Sequence, residues 1–385
     1  MLITRRIGHD PRLAFPDALR TLGTSDTGTG GPGGVLCYFP VVRGNPYQSL
    51  LYGGLDAAGL VPVPTYDVDT TAQLVTSLRG SDLDVVVHVH WLNVVMANAF
   101  DTAGAREKMK TYLDGVARLQ ESGARIAWTV HNILPHEERS QELEAELRRE
   151  MVGMSERVHV MSPRTVELTA PYFEIPEEKL LPVPHPAFHG VYPSWLSREQ
   201  ARRELGISPD SVVLLMSGRV KPYKGLTELL DSFDVLSERD PGRYTLLVAG
   251  PPDHDEETER FRERLLTHPS ALAALRKIPD DEMQLYLRAS DVAVFPYRRM
   301  LNSGVLALCL AFGLPVVLRS DSGEVPRVDP SFGIVYDDDL TAALAETPRL
   351  CTPEARLAAA AAGETLRPDL VAGQYATAVR EWLDS

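Results

Sequence analysis

The stretch of sequence that decides the fold is VVLLMSGRVKPYKG, residues 212–225. Its first part, Val212–Met216, is an uninterrupted apolar run, as expected of a strand that is buried on both faces. The loop that follows has glycine at both ends, Gly218 and Gly225, and leads into a helix predicted over 225–238. A strand, a glycine-bounded loop and a helix in this order are typical of a doubly wound α/β unit.

The same alternation extends along the chain on both sides of this stretch. Further strands are predicted at Val35–Phe39, Val85–His90, Ile126–Val130, Val158–Met161, Thr245–Ala249, Val292–Phe295 and Pro315–Leu318. Helices are predicted at 45–59, 105–122, 141–151, 198–205, 258–267, 280–288, 305–312, 340–345, 353–365 and 370–383. The sequence therefore predicts an α/β chain with two Rossmann-like domains, each built on a doubly wound parallel sheet.

A proline-rich stretch, Leu181–Trp195, separates the two series and is interpreted as an interdomain linker. We place the N-terminal domain at 1–190, with a flexible, glycine-rich leader at 1–34, and the second domain at 191–365. The leader precedes a strand and lacks Gly-Lys-Ser/Thr, so it does not fit a phosphate loop. The cleft between the two domains is the expected ligand site.

Composition excludes several classes of protein. A net charge of −14 argues against nucleic acid as the main partner, because binding to a phosphate backbone needs a basic surface. No apolar run approaches the roughly 20 residues of a membrane helix, and the N-terminus lacks the apolar core of a signal peptide. The three cysteines, Cys37, Cys309 and Cys351, are far apart, which suits reduced thiols. These features predict a cytoplasmic protein.

The loop at 217–225 carries the clearest chemical signal. A helix N-terminus presents free backbone N–H groups and the positive end of the helix dipole to an anion. Arg219 and Lys224 add two formal charges there; arginine can bind a phosphate with two hydrogen bonds, and lysine acts as a mobile point charge. We predict that Gly218, Arg219 and Lys224 bind a diphosphate and stabilise it as a leaving group in place of a metal ion. The alternative is a solvated basic turn.

A second loop, 296–304, follows the strand Val292–Phe295. Ligands bind at the carboxyl ends of strands in such sheets, and backbone N–H groups near its end can meet a phosphate or a sugar. Ser303 or Asn302 is also a good helix N-cap, so plain capping is the alternative. The residues of this loop that we predict to bind the phosphate-bearing sugar donor are Tyr297, Arg298, Asn302, Ser303 and Gly304.

Histidines end two strands of the N-terminal half. A neutral imidazole at such an end can donate to a sugar hydroxyl or take a proton, so His131 is predicted to be catalytic. His88 is expected to be buried and hydrogen-bonded. His90 is either buried in the same way or in contact with the acceptor, the substrate that would receive the sugar. Glu137, beyond the second strand, is a candidate base. No cysteine is near these histidines, so a metal site is not favoured.

The loop after the first strand holds Arg43, Asn45 and Tyr47. These residues either bind an acceptor or only start a helix. The pairs Asp67/Asp69 and Asp82/Asp84 have the spacing of metal-binding carboxylates, but chance explains them better in so acidic a chain.

Several of these segments resemble the large group of GT-B glycosyltransferases that use nucleotide sugars. The segment 217–225 resembles their Gly-Arg-x4-Lys-Gly diphosphate motif, and 278–296 is similar to the stretch beside the nucleotide base. Ala311–Val317 resembles their Ala-x-Gly-x-Pro-Val segment, and 84–90 with 129–132 resembles their histidine strands. The resemblance covers most of 35–385.

The resemblance implies substrates and residue roles. The substrates would be a nucleoside-diphosphate sugar and a hydroxyl acceptor, with no cofactor and no metal. Arg219 and Lys224 would bind the donor diphosphate, His131 would contact the transferred sugar, and the backbone near Ile278 would meet the base. A helix within 366–385 would cross back onto the N-terminal domain.

One departure from the family pattern concerns two glutamates separated by seven residues, which contact the sugar and the ribose. Met300 and Leu308 stand at these positions. Arg298, Asn302, Ser303 or Glu324 are candidate replacements for the first glutamate. Retention or inversion at the sugar carbon is therefore left open, with His131 or Glu137 as the base if the enzyme inverts.

The sequence thus predicts a metal-independent glycosyltransferase. The alternatives are a catalytically silent nucleotide-sugar-binding protein and a GT-B epimerase or phosphorylase. Basic residues of the helix at 105–122 also suggest a weak peripheral contact with anionic lipid, although a solvated helix face explains them as well. These residues are Arg106, Lys108, Lys110 and Arg118.

Overall fold

The computed structural model describes residues 33–42, 44–134 and 141–385. They fall into two compact units: the described residues up to Pro186 together with Pro368–Ser385, and Ala187–Arg367. Arg43, Glu137 and all of the predicted leader except Gly33 and Gly34 lie outside the described residues.

The N-terminal unit is a parallel sheet of six described strands in the order β2-β1-β3-β4-β5-β6. The strands are β1 (Gly34–Phe39), β2 (Leu60–Pro64), β3 (Asp84–Val89), β4 (Arg125–Thr129), β5 (Arg157–Val160) and β6 (Leu180–Pro182). The helices are α1 (Tyr47–Leu51), α2 (Val68–Ser77), α3 (Thr102–Glu121), α4 (Gln141–Met154) and α5 (Thr165–Thr169).

The C-terminal unit repeats this plan with the strand order β12-β11-β10-β7-β8-β9. Its strands are β7 (Val212–Ser217), β8 (Tyr244–Ala249), β9 (Ala271–Ala274), β10 (Val292–Phe295), β11 (Val316–Arg319) and β12 (Gly333–Tyr336). Its helices are α6 (Arg198–Leu205), α7 (Leu226–Arg239), α8 (Glu256–Thr267), α9 (Met283–Ala289), α10 (Gly304–Ala311), α11 (Leu340–Ala345) and α12 (Pro353–Glu364). The predicted α/β class with two parallel, doubly wound sheets is confirmed.

The last helix, α13 (Pro368–Asp384), belongs to the N-terminal unit. Its apolar face, which includes Tyr375, Val379 and Trp382, is buried against the N-terminal core. Arg125 closes the end of this helix, because its guanidinium donates to the carbonyl oxygens of Trp382 and Leu383 at 2.9 and 3.1 Å. The helix is thus fixed by apolar burial and by hydrogen bonds to its terminal carbonyls.

The predicted helix at 45–59 is wrong in extent. The structure has α1 only over Tyr47–Leu51, followed by a 3₁₀ turn over Leu55–Ala58. Two adjacent glycines, Gly53 and Gly54, stand at the break, where the backbone entropy of glycine disfavours a continuous helix.

The predicted linker at 181–195 is also corrected at its start. Leu180–Pro182 forms β6 and pairs in parallel with β5. A proline is tolerated there because β6 is an edge strand, where one side needs no ladder hydrogen bonds. At least one aspartate of each acidic pair has a structural partner: Asp67 caps α2 through the Thr70 N–H, and Asp84 pairs with Arg380.

Candidate active site

Each sheet has one point at which the strand order reverses. In the N-terminal unit it lies between β1 and β3, and in the C-terminal unit it lies between β7 and β10. Crevices for ligands open at such points, outside the carboxyl ends of the strands. The loops that carry the predicted motifs, 217–225 after β7 and 296–303 after β10, leave the sheet at the C-terminal switch point.

The two loops at this point are packed against each other through their backbones. Gly225 has a φ of +69°, and a Cβ added to it would lie 2.3 Å from the carbonyl oxygen of Pro296. The Arg298 N–H donates to the Tyr223 carbonyl oxygen at 2.9 Å. Only glycine combines this conformation with so close an approach, so the sequence fixes the shape of the loop at Gly225.

Arg219 and Lys221 share one carboxylate. Arg219 Nη1 and Lys221 Nζ each lie 3.0 Å from an oxygen of Asp253, in the loop after β8. Desolvation opposes ionisation of Asp253, but hydrogen bonds from Lys221 and Arg219 outweigh it and lower its pKa. The sequence motif predicts a binding role for Arg219 but for neither Lys221 nor Asp253. The position of Asp253 shortly after the strand β8 is the sequence feature that could have indicated its contact with these cations.

Lys224 differs from these two cations because it is buried. Its ammonium group lies 4.8 Å from the centre of the Tyr297 ring and donates to the Ser217 carbonyl oxygen at 3.2 Å. Burial, assisted by the nearby charge of Lys221, lowers the pKa of Lys224 to about 7. The ammonium group therefore sits at the edge of deprotonation near neutral pH. Tyr297 is buried too, and its ring faces this lysine.

The helix that begins after this loop, α7, has no side-chain cap on its N-terminus among the described residues. Its first-turn N–H groups and dipole therefore add to the positive potential of Arg219, Lys221 and Lys224. Three cations and an uncapped helix N-terminus are together an anion-binding arrangement. The predicted residues Gly218, Arg219 and Lys224 are brought together here.

The N-terminus of α10, reached from the second loop, is capped by the protein itself. The Ser303 hydroxyl accepts from the Leu306 N–H at 3.2 Å, and Glu324 Oε1 accepts from the Ser303 N–H at 2.9 Å. Arg327 Nε lies 3.1 Å from the other oxygen of Glu324. Burial raises the pKa of Glu324, and Arg327 opposes this shift. Glu324 thus places a buried carboxylate beside the predicted donor-binding residues Ser303 and Gly304.

Met300 and Leu308 are buried and belong to the packing around α10. The Gly323 N–H donates to the Met300 carbonyl oxygen at 2.7 Å, which holds the segment of Glu324 against the second loop. Of the other predicted donor-binding residues, Arg298 is exposed and Asn302 is half-buried, whereas Ile278 is buried in the loop between β9 and α9.

In the N-terminal unit, His131 follows β4 and stacks on Trp91, with ring centres 4.2 Å apart. Its Nε2 lies 2.9 Å from Nδ1 of His90. His131 lines a small pocket together with residues that include Asn132 and Arg148. Desolvation and the neighbouring histidines hold the pKa of His131 well below its usual range, so the ring is neutral near pH 7.

The structure corrects part of the predicted acceptor site. His90 and Tyr47 are buried, with at most 1% of their surface exposed, because their rings fill the space beneath Trp91 and His131. They offer no surface for direct contact with an acceptor in this conformation. Asn45 is half-buried, and its side-chain oxygen accepts from the Tyr47 N–H at 3.0 Å, as at a helix start.

The basic residues of α3 are paired. Arg106 contacts Glu146, Lys110 contacts Asp114 and Arg118 contacts Asp69, while Lys108 donates to the Ala97 carbonyl oxygen. These pairs reduce the charge that the helix offers to an anionic surface. In the described part of the chain, no helix is both long and apolar enough to span a bilayer, and no three His, Cys, Asp or Glu side chains are grouped to hold a metal ion.

Comparison with known proteins agrees with this geometry. Residues 211–349 match the family model of glycosyl transferases group 1. A GDP-mannose:glycolipid 4-beta-D-mannosyltransferase of Xanthomonas campestris pv. campestris is 25% identical over 310 residues, which are 79% of this chain and 79% of that protein. A D-inositol 3-phosphate glycosyltransferase of Geodermatophilus obscurus is 35% identical over 134 residues, 33% of this chain and 30% of that protein.

Solved structures share the fold. HepE of Anabaena, crystallised in complex with UDP and glucose, superimposes with a TM-score of 0.63 at 14% identity over 91% of this chain and 99% of that one. Sucrose-phosphate synthase of Thermosynechococcus elongatus gives a TM-score of 0.66 at 14% identity over the same shares of the two chains. With the group 1 match in its C-terminal unit and relatives that are named glycosyltransferases, the chain is a glycosyltransferase with the GT-B fold.

Proposed function

We propose that the chain transfers a sugar from a nucleoside-diphosphate sugar to a hydroxyl acceptor, and that the loop between β7 and α7 binds the diphosphate without a metal ion. The observation that carries this proposal is that three cations, Arg219, Lys221 and Lys224, lie in the loop leading into α7, whose N-terminus has no side-chain cap among the described residues. HepE, a structural neighbour, was crystallised in complex with UDP-glucose, which supports a nucleotide sugar as the donor.

In the transfer step, the bond between the sugar carbon and the diphosphate oxygen breaks, and the diphosphate leaves with the electron pair. The acceptor oxygen forms the new bond to the sugar and loses its proton, which the departing diphosphate takes up directly or through water. Arg219 and Lys221 exchange Asp253 for phosphate oxygens, and their charge stabilises the departing diphosphate. Donors and charges fixed at the place where negative charge develops lower the barrier more than flexible ones do.

Lys224 contributes a charge that responds to the ligand. With a pKa of about 7 in the free protein, its amine carries a full charge only part of the time near neutral pH. A bound diphosphate favours the ammonium form and raises this pKa. Binding of the donor is therefore coupled to the uptake of a proton at Lys224.

We assign the acceptor and the transferred sugar to contacts with His131 in the N-terminal unit. His131 is half-buried as a residue, and its ring stacks on Trp91 and lines a pocket with Asn132. The relatives are named for a glycolipid and for D-inositol 3-phosphate. These two acceptors share a hydroxyl group, so the proposal identifies the acceptor as a hydroxyl compound and no more narrowly.

The second candidate is a protein that binds the sugar donor without catalysing transfer. It is favoured by Met300 and Leu308, because these apolar residues stand where the family has two glutamates that contact the donor. Glu324 weakens this candidate, because it supplies a buried carboxylate beside Ser303 and Gly304. Both candidate functions predict that the chain binds a nucleotide, but only the transferase predicts turnover of the sugar donor.

Thermal denaturation with UDP, GDP and dTDP first identifies the base, because a ligand that binds only the folded state raises the melting temperature. Release of the nucleoside diphosphate from the matching sugar donor is then measured with and without acceptors. Transfer predicts release that depends on the acceptor, and binding without acceptor-dependent release would favour the silent protein.

The double variant Arg219→Ala/Lys224→Met tests the site. We expect it to lose both the thermal shift and the transfer. The matched control is Arg260→Ala/Arg262→Ala, which removes the same charge from two local ion pairs of α8. Transfer at the wild-type rate in the first double variant would refute the proposed site.

A further inference from the structure

We propose that Tyr375, on α13, determines which ring nitrogen of His131 carries the proton, and thereby makes His131 a hydrogen-bond donor rather than a base towards the substrate. The inference rests on the proposed function only in assigning a substrate to His131. Its physical basis is a chain of buried hydrogen bonds that can be followed atom by atom from a backbone carbonyl to that ring.

The chain runs through imidazoles that are all neutral. His88, His90 and His159 are fully buried. Burial holds the pKa of His88 and of His90 well below the usual range and lowers the pKa of His159 to about 4. A neutral imidazole has one N–H donor and one nitrogen lone pair, so fixing one of its nitrogens also fixes the other.

A carbonyl group anchors one end of the chain. His159 Nε2 lies 2.8 Å from the Val183 carbonyl oxygen, which can only accept. His159 therefore carries its proton on Nε2, and its Nδ1 must accept. The Thr129 hydroxyl, 3.0 Å from this Nδ1, is the donor; the Tyr47 hydroxyl lies farther away, at 3.5 Å.

The orientation of the Thr129 hydroxyl determines which nitrogen of His88 carries the proton. Its single hydroxyl proton points at His159, so its oxygen must accept from His88 Nε2, which lies 2.7 Å away. His88 then carries its proton on Nε2 and presents the lone pair of Nδ1. The opposite direction would set two lone pairs against each other at the contact between Thr129 and His159.

Two hydroxyl groups compete for that lone pair. The Tyr52 and Tyr375 oxygens both lie 2.7 Å from His88 Nδ1. The Tyr52 oxygen also lies 2.5 Å from His90 Nε2, whereas His88 Nδ1 is the hydrogen-bonding partner that the described residues give the Tyr375 hydroxyl. Both hydroxyls are satisfied only if Tyr375 donates to His88 and Tyr52 donates to His90.

This solution fixes the remaining two rings. His90 Nε2 accepts from Tyr52, so His90 carries its proton on Nδ1 and donates to His131 Nε2 at 2.9 Å. His131 therefore accepts at Nε2 and carries its proton on Nδ1. Nδ1 of His131 is then an N–H donor, and the ring has no lone pair left to act as a base.

Without the Tyr375 hydroxyl the preference reverses. The lone pair of His88 Nδ1 would then draw the Tyr52 proton, and the Tyr52 oxygen would accept from His90 Nε2. His90 Nδ1 would accept from His131 Nε2, leaving the lone pair of His131 on Nδ1. One hydroxyl on the last helix thus selects between the donor form and the base form of a histidine that lies four hydrogen bonds away.

The direct test is nuclear magnetic resonance of the protein labelled with ¹⁵N in its histidines, because two-bond ¹⁵N–¹H correlations distinguish the two neutral tautomers. Signals of His131 are assigned from a His131→Asn variant. We expect the proton on Nδ1 in the wild-type protein and on Nε2 in Tyr375→Phe. A His131 proton on Nε2 in the wild-type protein, or an unchanged tautomer in Tyr375→Phe, overturns the proposal.

Two further variants show that the effect travels along the proposed route. Tyr52→Phe cuts the chain between His88 and His90, so adding Tyr375→Phe to it should leave His131 unchanged. Tyr244→Phe removes a buried hydroxyl from the C-terminal unit and is the control that should not affect His131. A His131 shift caused by Tyr375→Phe on the Tyr52→Phe background would contradict the route.

These measurements need no turnover, so they stand whether or not sugar transfer is found. If Tyr375→Phe fails to fold, as melting curves would show, a wild-type His131 proton on Nε2 still overturns the proposal, and one on Nδ1 supports the proposed direction of the hydrogen bonds. Where a donor and an acceptor are known, Tyr375→Phe is expected to lower kcat more than it raises KM, and the rate to gain a dependence on pH below neutrality, since His131 then presents a lone pair to the substrate.

Discussion

The N-termini of α7 and α10 lie at the same edge of the C-terminal sheet, and both follow a buried central strand. At α7 no described side chain caps the helix, and the loop that leads into it carries three cations. At α10 the Ser303 hydroxyl and the Glu324 carboxylate already occupy N–H groups. The comparison shows that the position of a helix in the fold brings its N-terminus to the ligand-binding edge of the sheet. The local side chains then decide whether its N–H groups remain for a bound anion or are occupied by the protein's own carboxylate.

The largest expected effect is at the open helix start. Lys224→Met keeps the length of the side chain but removes its charge, and we expect kcat for sugar transfer to fall about 10²–10³-fold, as when one fixed donor is lost from a charge-stabilising site. Ser303→Ala, at the capped helix start, is the matched comparison and should change kcat far less. Steady-state kinetics on the two variants measures the contrast, and equal losses would remove the distinction between the two helices.

At the capped helix start the expected effect is on stability. Glu324→Ala removes the carboxylate that accepts from Ser303 N–H and pairs with Arg327, and we expect it to cost about 3 kcal/mol of the free energy of unfolding. Urea denaturation measures this loss. Glu324→Gln keeps an acceptor for the Ser303 N–H and should lose less stability. An unfolding free energy equal to wild type in Glu324→Ala would show that the internal anion does not stabilise this helix start.

The pH dependence of nucleoside diphosphate binding tests whether Lys224, in the loop before α7, takes up a proton when the ligand binds. Lys224 has a pKa of about 7 in the free protein, and a bound diphosphate raises it, so the complex holds a proton that the free protein loses above pH 7. Affinity for the nucleoside diphosphate should therefore fall as pH rises from 7 to 9, by up to about tenfold per pH unit. Titration calorimetry measures the slope. Lys224→Met should flatten it, and a steep slope retained in that variant would assign the proton to another group.

The smallest expected effect concerns Asp253. This carboxylate neutralises Arg219 and Lys221 in the free protein, but the Arg219 side chain is 57% exposed, so the pair is worth only about 0.5–1 kcal/mol. Asp253→Asn should tighten nucleoside diphosphate binding by a few-fold. Asp255→Asn, which alters a helix cap two residues away, is the control. Weaker binding in Asp253→Asn would mean that Asp253 orients the cations instead of competing for them.

The sequence predicted the central strands of both sheets and missed the edges. The four strands that were not predicted, β2, β6, β9 and β12, are the edge strands of the two sheets. Central strands are buried on both faces and appear as continuous apolar runs such as Val212–Met216. An edge strand tolerates prolines, as Leu60–Pro64 does, so its sequence does not show the pattern of a buried strand.

The loops of the candidate site were predictable, but their tertiary partners were not. Arg219 and Lys224 stand in one local segment whose order of strand, loop and helix is visible in the sequence. Asp253 reaches Arg219 from 34 positions away, and Tyr375 reaches His88 from 287 positions away. No periodicity connects residues so far apart, and only the packing of separate loops and helices brings them into contact.

The N-terminal unit is completed by residues that follow the entire C-terminal unit along the chain. During synthesis, Val371, Tyr375 and Trp382 leave the ribosome only after residues 187–367 have done so. Until then the apolar face that receives α13 is uncovered, and His88 lacks the hydroxyl of Tyr375. A polypeptide interrupted anywhere in the second unit therefore lacks Tyr375, and its N-terminal core stays open on the face that α13 would cover.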